Sequence, residues 1–301
     1  MRETREGLFS FSRLEKRHNI FYNPNGMNTK YIFLDIDGTL FSPDIHGTPE
    51  SAIKAIQIAR SNGHKVFLCT GRTKCECVEY YQYETDGFIF GAGSCIYTDG
   101  KYIFDQPIPT LDVQTIIEYA DEFNLPYLQE GKNHSYCNQS GYEWSLDYFS
   151  AEDKTLEEKK QKLDDLNILY DENGYKNEDI YKVFYFTKGL EVFKEYEKKL
   201  KDPYRLVVTH AEEGILCGAE VTNRSLTKSG GIKQILEYYG ASQDDTIGIG
   251  DSMNDIDMIQ YCHIGIAMGN ALEEVKEIAD YITSDILDDG IYNAFKHCGV
   301  I

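Results

Sequence analysis

The sequence predicts a doubly wound α/β fold, in which a mostly parallel, Rossmann-like core sheet carries an inserted α+β cap domain. Three observations predict it. Short apolar runs recur with little alternation, as in strands that helices cover on both faces. A polar or glycine-rich turn and a helical pattern follow these runs, which is the rhythm of a doubly wound sheet. The middle of the chain breaks this rhythm with long lysine- and glutamate-rich stretches.

Six apolar runs are predicted to form the core strands. They span residues 30–38, 64–72, 86–94, 245–252, 262–270 and 280–285. The helix after the first run shows both of its ends, because Thr48 suits an N-cap, Pro49 the first helical position and Gly63 a stop. Helical apolar spacing also follows the later runs. These elements predict helices on both faces of one sheet.

The cap domain is predicted over residues 107–213, inserted between the third and fourth core strands. Charged helical stretches there alternate with two strand-like runs, 181–187 and 205–210. The core pattern resumes near Cys217, so the core domain is predicted to comprise residues 28–106 and 214–301. Residues 1–27 lack the apolar stretch of a signal peptide and are predicted to be a disordered or loosely docked extension.

Bulk properties exclude several classes of function. The formal net charge of −20 argues against a nucleic-acid partner, because a polyanion would be repelled by most of the surface. No apolar run reaches the length of about 18 residues that a membrane span needs. The 8 cysteines show no CxxC spacing, which favours reduced thiols in the cytoplasm over a zinc site or disulfides. Oligomeric state cannot be predicted.

Polar clusters follow the predicted core strands, at the edge of a parallel sheet where ligands gather. Asp35 and Asp37 follow the first run, Thr70-Gly71-Arg72 the second, and Asp251 begins "DSMND" after the fourth. Clustered carboxylates repel one another unless a cation intervenes, and their oxygens suit Mg²⁺. The ion is predicted to bind the carboxylates of Asp35 and Asp251 and the backbone carbonyl of Asp37. A lone DxD is often only a turn signal, but the ordered set leaves little room for chance.

The segments "DIDGT", "TGR", a lysine before a helix and "GDSMND" resemble the four signature motifs of the haloacid dehalogenase (HAD) superfamily. The stretch from "GDSMNDIDM" through "GIAMGNALEEVKEIADYIT" to "DDGI" resembles more narrowly its Cof-type (subfamily IIB) phosphatases, which insert a large α/β cap between the second and third motifs. The resemblance covers nearly everything from Met27 onward. The segment "TNRSLTKSGGI" differs from the usual sequence around the family's lysine, although Lys228 occupies the position of that lysine.

The resemblance implies phosphoryl transfer through an aspartyl-phosphate, with a phosphorylated small molecule as substrate. Asp35 is then the nucleophile, Asp37 the acid and base, and Lys228 the cation that offsets charge on the transferred group. Asp255 orients Lys228 or the waters of the metal. The phosphate is expected to contact Thr70, Gly71, Arg72 and Asn254. For Arg72, pairing with an acid of the same face is an equal alternative, and Asn270 is expected only to cap the helix that follows it.

The leading hypothesis is a Mg²⁺-dependent phosphatase for a small organic phosphate, with sugar phosphates favoured over pyridoxal phosphate or a flavin mononucleotide. A phosphosugar mutase of the same superfamily is an alternative. Two alternatives belong to a different class. The length, the inserted domain and the "DIDGT" order argue against a signalling receiver domain, and the complete motif set argues against a phosphate-binding protein without turnover. Aromatic residues in 138–149, which include Trp144, are read as cap core rather than as a substrate platform.

Overall fold

Two β-sheets organise the chain in the computed structural model, which describes residues 28–150, 153–212 and 214–301. One sheet has eight strands and the other six among these residues. The extension predicted over residues 1–27 lies outside the described residues.

Strands and helices alternate through the described part of the chain. The strands are β1 (Tyr31–Leu34), β2 (Lys65–Cys69), β3 (Gly87–Phe90), β4 (Cys95–Thr98), β5 (Lys101–Asp105), β6 (Tyr127–Gly131), β7 (Ser135–Cys137), β8 (Ile168–Tyr170), β9 (Ile180–Thr187), β10 (Tyr204–Glu212), β11 (Leu216–Asn223), β12 (Thr246–Gly250), β13 (Ile264–Ala267) and β14 (Tyr281–Ile282). The helices are α1 (Glu50–Ser61), α2 (Thr110–Glu122), α3 (Gln139–Tyr148), α4 (Leu156–Asp165), α5 (Glu191–Glu197), α6 (Lys228–Tyr239), α7 (Ile256–Tyr261), α8 (Glu273–Ile278) and α9 (Gly290–His297). No helix in these described stretches combines the length and the apolar character needed to cross a bilayer.

The core sheet has the strand order β14-β13-β12-β1-β2-β3-β4-β5. Its strands pair in parallel from β14 to β3, and β4 and β5 add an antiparallel edge. Strand β1 is buried throughout, as the continuous apolar run predicted. Each of the six predicted core runs contains one of the parallel strands, so the doubly wound α/β prediction is confirmed.

The position of the insertion differs from the prediction. Strands β4 and β5 precede the inserted segment, so it follows the fifth strand of the core sheet rather than the third. The boundary at 213 is also misplaced, because β11 belongs to the second sheet, whose order is β10-β11-β9-β6-β7-β8. Alternate residues of β11, Cys217, Ala219 and Val221, pack in the second sheet's own hydrophobic core. The chain therefore returns to the core only after Asn223.

The start of α1 also differs by one residue from the prediction. Pro49 occupies the N-cap position and Glu50 is the first helical residue, so Thr48 does not cap the helix. The proline ring fixes φ at −57°, and ψ of 137° keeps the residue extended. The predicted stop is close to the observed end, since α1 finishes at Ser61.

A tight contact joins the turn after β3 to the start of α6. Gly93 has φ of +106°, and a Cβ built there would lie 2.4 Å from the carbonyl oxygen of Thr227. Thr227 is the N-cap of α6, and its side chain accepts a hydrogen bond from the backbone N–H of Gly230. Because α6 begins at Lys228, this glycine allows the helix start to approach the core sheet closely enough to position that lysine.

We therefore expect Gly93→Ala to lower the free energy of unfolding by about 1–3 kcal/mol more than Gly100→Ala does. Gly100 is a control for positive φ, because it has φ of +76° and no atom lies within 4 Å of its built Cβ. Urea unfolding of both variants measures the difference. Equal losses would show that the contact with Thr227 is not tight.

Candidate functional site

The carboxyl ends of β1 and β12 bring two aspartates together. The two strands pair in parallel, and the pairing continues past β1, where the N–H of Asp35 donates to the carbonyl of Ile249 at 3.0 Å. Asp35 and Asp251 thus leave the sheet side by side. One oxygen from each of these carboxylates and one from Asp255 lie within 4.8 Å of one another.

Lys228 is the cation of this acidic cluster. Its Nζ donates to Oδ1 of Asp35 at 2.5 Å and to Oδ1 of Asp255 at 2.6 Å. The lysine side chain is 0% exposed. Burial disfavours the charged lysine, but the Asp255 and Asp35 carboxylates outweigh it and raise the pKa of Lys228. The ammonium therefore remains charged, and removing any partner of such a buried pair costs about 3–5 kcal/mol.

Asp255 is committed to holding the loop in place. Its second carboxylate oxygen accepts the backbone N–H groups of Asp251 and Ser252, each at 3.0 Å. With Lys228 on the first oxygen, this fully buried side chain has a protein donor on both sides. Asp255 therefore contacts both Lys228 and the backbone of Asp251; the sequence analysis expected it to orient Lys228 or the waters of the metal.

Asp35 and Asp251 form a donor set that suits a divalent cation. Asp251 receives one side-chain hydrogen bond, from Thr39 Oγ1 at 2.8 Å, and burial raises its pKa to about 6. Burial and the charge of Asp255 likewise raise the pKa of Asp35. Gly38 leaves the space beside Asp251 open, because a Cβ there would lie 2.3 Å from Oδ2. A cation at these oxygens would offset the charge that one lysine leaves uncompensated.

Arg72 pairs with Asp37, which is one of the two alternatives that the sequence left open. Its Nε donates to Oδ2 at 2.9 Å and its Nη2 to Oδ1 at 2.6 Å, in the bidentate geometry that favours arginine. The guanidinium also lies 5.4 Å from the centre of the Tyr80 ring. The Asp37 side chain is 54% exposed despite this partner. Asp37 is thus held in one orientation while remaining open to the cavity.

The phosphate-contact residues named from the sequence line one cavity of about 900 Å³ with Asp35 and Asp37. Thr70 is buried, and its Oγ1 accepts the backbone N–H of Arg72 at 3.1 Å. The amide nitrogen of Asn254 lies 3.8 Å from a Cβ built on Gly71, so these two segments meet across the cavity floor. Lys228 lies beneath this floor and contacts two of its residues, Asp35 at 2.5 Å and Asn254 at 3.4 Å.

Asn270 has a different role from the one predicted. Helix α8 begins at Glu273 with Leu272 at the N-cap position, so Asn270 does not cap it. Its Nδ2 donates to the carbonyl of Gly38 at 2.7 Å, and its Oδ1 accepts the N–H of Ile286 at 3.0 Å. Asn270 therefore ties the turn after β1 to the far edge of the sheet. The sequence signal for this role was the position of Asn270 shortly after β13, at the edge of the sheet where the other site residues lie.

The far wall of the cavity comes from the second sheet, and the sequence analysis identified little of it. Trp144 stacks on Phe186 at 5.7 Å in the cap core, as predicted. Tyr148 and Phe149, in contrast, line the cavity. Lys182 also lines it and was overlooked. A lone lysine in the apolar run "YKVFYFT" was the available signal.

Comparison with known proteins agrees with this architecture. The family model for haloacid dehalogenase-like hydrolases matches residues 32–295. YkrA of Bacillus subtilis (strain 168) is 28% identical over 281 residues, which covers 91% of this chain and 100% of YkrA. A second relative in that organism, the 5-amino-6-(5-phospho-D-ribitylamino)uracil phosphatase YcsE, is 26% identical over 90% of this chain and 96% of its own length. The solved structure of the HAD subclass IIB sugar phosphatase BT4131 superposes with a TM-score of 0.72 at 28% identity, covering 91% of this chain and 100% of that one.

The raised pKa of Asp251 predicts that Mg²⁺ binding depends on pH. The carboxyl keeps its proton up to about pH 6, and a cation binds only the ionised form. Affinity is therefore present above this pKa and lost below it, and we expect it to fall about tenfold or more between about pH 7 and about pH 5. Without the ion, ionising this buried acid costs stability. The metal-free protein should therefore become less stable as pH rises from 3.8, the ordinary pKa of an aspartate, to about 6.

Thermal unfolding with and without MgCl₂ across this pH range measures both effects. The increase in melting temperature on adding Mg²⁺ should grow with pH across this range. Asp251→Asn should remove the increase at every pH. An increase that is equal at both ends of the range would contradict the assignment of Asp251 as a ligand.

Proposed function

We propose, since the chain belongs to the haloacid dehalogenase-like hydrolases and is a phosphoric monoester hydrolase, that it is a Mg²⁺-dependent phosphatase. Its substrate is a small organic phosphate, with sugar phosphates as the favoured class. The observation that carries this proposal is the arrangement around Asp35. Its buried carboxylate touches Lys228 and lies beside Asp251 at the floor of the cavity that Asp37 also lines. An attacking anion and an acid thus face one space, and a fixed cation lies directly behind the anion.

Asp35 acts as the nucleophile in this proposal. A carboxylate oxygen forms a bond to phosphorus, the bond from phosphorus to the ester oxygen breaks, and an aspartyl-phosphate results. Lys228 holds Asp35 in place and offsets the charge on the transferred group. Asp255 is the second carboxylate that Lys228 contacts. Mg²⁺ held by Asp35 and Asp251 supplies further charge neutralisation when it is bound.

Asp37 acts as the acid and then as the base. It lies two residues beyond Asp35 and gives a proton to the ester oxygen as the leaving group departs. It then takes a proton from the water that attacks phosphorus and frees the Asp35 carboxylate. Arg72 positions Asp37 through its two hydrogen bonds, which leave the carboxylate exposed to the cavity. We assign Arg72 to this task in the first place and to phosphate contact in the second.

The remaining polar residues of the floor hold the phosphate group. Thr70, Gly71 and Asn254 surround the entrance to Asp35, and Gly71 brings backbone close without a side chain in the way. The space above is ample for a leaving group of sugar size, since the cavity measures about 900 Å³. The similarity to a sugar phosphatase and to a phosphatase of a ribityl phosphate supports this substrate class.

We expect the protein to release inorganic phosphate from small phosphate esters when Mg²⁺ is present, and Asp35→Asn to abolish this release. A screen of phosphorylated metabolites, with free phosphate measured by colour, tests both. The variant should lose about 10³-fold or more in kcat, because an amide cannot form the intermediate. Asp44→Asn is the control, since Asp44 is an exposed aspartate of the turn that follows the same strand. Equal turnover by wild type and Asp35→Asn would refute the nucleophile.

Asp37→Asn should slow turnover by about 10²–10⁴-fold while leaving Asp35 able to react. An amide cannot donate the proton that the ester oxygen needs, so esters with good leaving groups should suffer least. The ratio of kcat for p-nitrophenyl phosphate to kcat for a sugar phosphate should therefore rise in the variant. An equal loss on both esters would speak against proton donation by Asp37.

A further inference from the structure

The face of the second sheet that looks onto the cavity carries a buried ionic cluster, which we call the Lys182 cluster. Lys182 Nζ lies 2.9 Å from Glu130 Oε2, 3.2 Å from Glu220 Oε2 and 3.3 Å from Glu76 Oε2. The lysine and Glu130 side chains are each 7% exposed. All four residues line the cavity that holds Asp35 and Asp37. The cluster therefore belongs to the wall opposite the proposed catalytic carboxylates.

Strand pairing explains why these side chains share one face. Glu130 lies directly opposite Lys182 on the neighbouring strand β6, and Glu220 lies opposite Phe184 on β11. Residues two apart on a strand share a face, so Lys182, Phe184 and Glu220 point to the same side. The alternating residues Val183 and Tyr185 lie in the hydrophobic core on the other side. The pairing register therefore places the charged residues Lys182, Glu130 and Glu220 on the cavity-facing side, with Phe184 beside them.

Glu76 extends the cluster from the second sheet to the core. It lies in the 3-10 segment Lys74–Tyr83 and is fixed by a capping box, in which its Oε2 accepts the N–H of Thr73 at 2.7 Å. Its backbone carbonyl accepts Nη1 of Arg72 at 3.3 Å. A continuous polar chain therefore runs from Asp37 through Arg72 and Glu76 to Lys182.

The cluster holds more acid than base. Three carboxylates surround one ammonium, and the nearby guanidinium of Arg72 is already paired with Asp37. Burial and the charge of Glu76 raise the pKa of Glu130, so this wall already resists negative charge. Oε2 of Glu130 is fully buried against the ammonium of Lys182, at 2.9 Å. The Glu220 side chain is 18% exposed and lines the cavity, so its carboxylate is an acceptor that the hydroxyl or amine hydrogens of a ligand can reach.

We propose that the Lys182 cluster is the subsite for the leaving group, and that it selects hydroxyl-bearing leaving groups without a second negative charge. This inference rests on the proposed phosphatase function. The carboxylates accept hydrogen bonds from the hydroxyl groups of the ester, and Tyr148, Phe149 and Phe184 provide an apolar wall beside them. An anionic substituent there would meet uncompensated carboxylates in a poorly solvated space. Glu220 is the residue that distinguishes uncharged from anionic leaving groups, because its side chain is more exposed to the cavity than that of Glu130, the other glutamate on the sheet.

Competition against p-nitrophenyl phosphate tests this selection whether or not a probe is itself turned over. The probes are glucose 6-phosphate, glucosamine 6-phosphate and 6-phosphogluconate, whose leaving groups are uncharged, cationic and anionic. With the full chain and Mg²⁺, we expect the inhibition constant of 6-phosphogluconate to exceed that of glucose 6-phosphate by about tenfold or more. Glucosamine 6-phosphate should bind at least as well as glucose 6-phosphate. Equal constants for all three, or no competition by any of them up to about 10 mM, would overturn the proposal.

Glu220→Gln removes one negative charge with almost no change of shape. It should reduce the ratio between the 6-phosphogluconate and glucose 6-phosphate constants by about threefold or more, an effect that a purely structural role would not produce. Glu191→Gln is the matched control, because Glu191 is an exposed glutamate of α5 and should leave the ratio unchanged. An unchanged ratio in a folded Glu220→Gln would overturn the assignment of Glu220. If that variant does not fold, the wild-type ratio alone still decides whether anionic leaving groups are excluded.

The outcome for the proposed function is read separately. Hydrolysis of p-nitrophenyl phosphate by wild type and its loss in Asp35→Asn report the reaction itself, independently of the leaving-group probes. Phosphatase activity without charge selection would leave the proposed function intact and refute the subsite. No difference between wild type and Asp35→Asn would refute both.

Discussion

The buried ammonium of Lys228 is the interaction on which the site depends. Asp35 and Asp255 are removed from water, and the ammonium at contact distance from both offsets the cost of burying two acids side by side. The fold provides this charge by starting helix α6 at Lys228, with Thr227 as its cap and Gly93 leaving room for the approach. The sheet order brings the aspartates together, because pairing β1 with β12 places residues separated by more than two hundred positions at one edge.

Lys228 leaves the third carboxylate of the cluster uncompensated, and this imbalance gives the site its chemistry. Asp251 lies beside Asp35 with a single hydroxyl donor and a raised pKa. A site of this composition is poorly satisfied without a further cation and well satisfied with one. The same surplus of negative charge would repel a phosphate ester in the absence of the ion. In the proposed reaction, metal and substrate would therefore depend on each other electrostatically, since each would offset the charge that would repel the other.

The sequence could predict features that depend on neighbouring residues, such as strands and the polar residues after them. It could not predict contacts between segments that are distant in the chain. Strands β1 and β12 and the polar residues after them could be identified because apolar runs and strand-end positions are local properties. The return to the core was placed too early because β11 reads like a core strand, and only its packing partners show otherwise. The pairing of Lys182 with Glu76 crosses 106 positions and joins the second sheet to the 3-10 segment after β2, so no spacing rule could find it. For Arg72, the sequence narrowed the choice to two roles that only the structure could separate.

The two lysine-centred clusters have the same ratio of three acids to one base and yet are suited to different tasks. Among the described residues, Asp35, Asp251 and Asp255 form the only acidic group whose oxygens approach within 4.8 Å, so a small cation can reach several of them at once. The glutamates around Lys182 do not meet this condition, and the ammonium itself occupies their centre. A metal ion would therefore satisfy the first cluster, whereas the second can only be satisfied by hydrogen-bond donors spread over a larger surface. Electrostatics thus separates the end of the cavity that suits a phosphate, through a cation, from the end that suits an uncharged group.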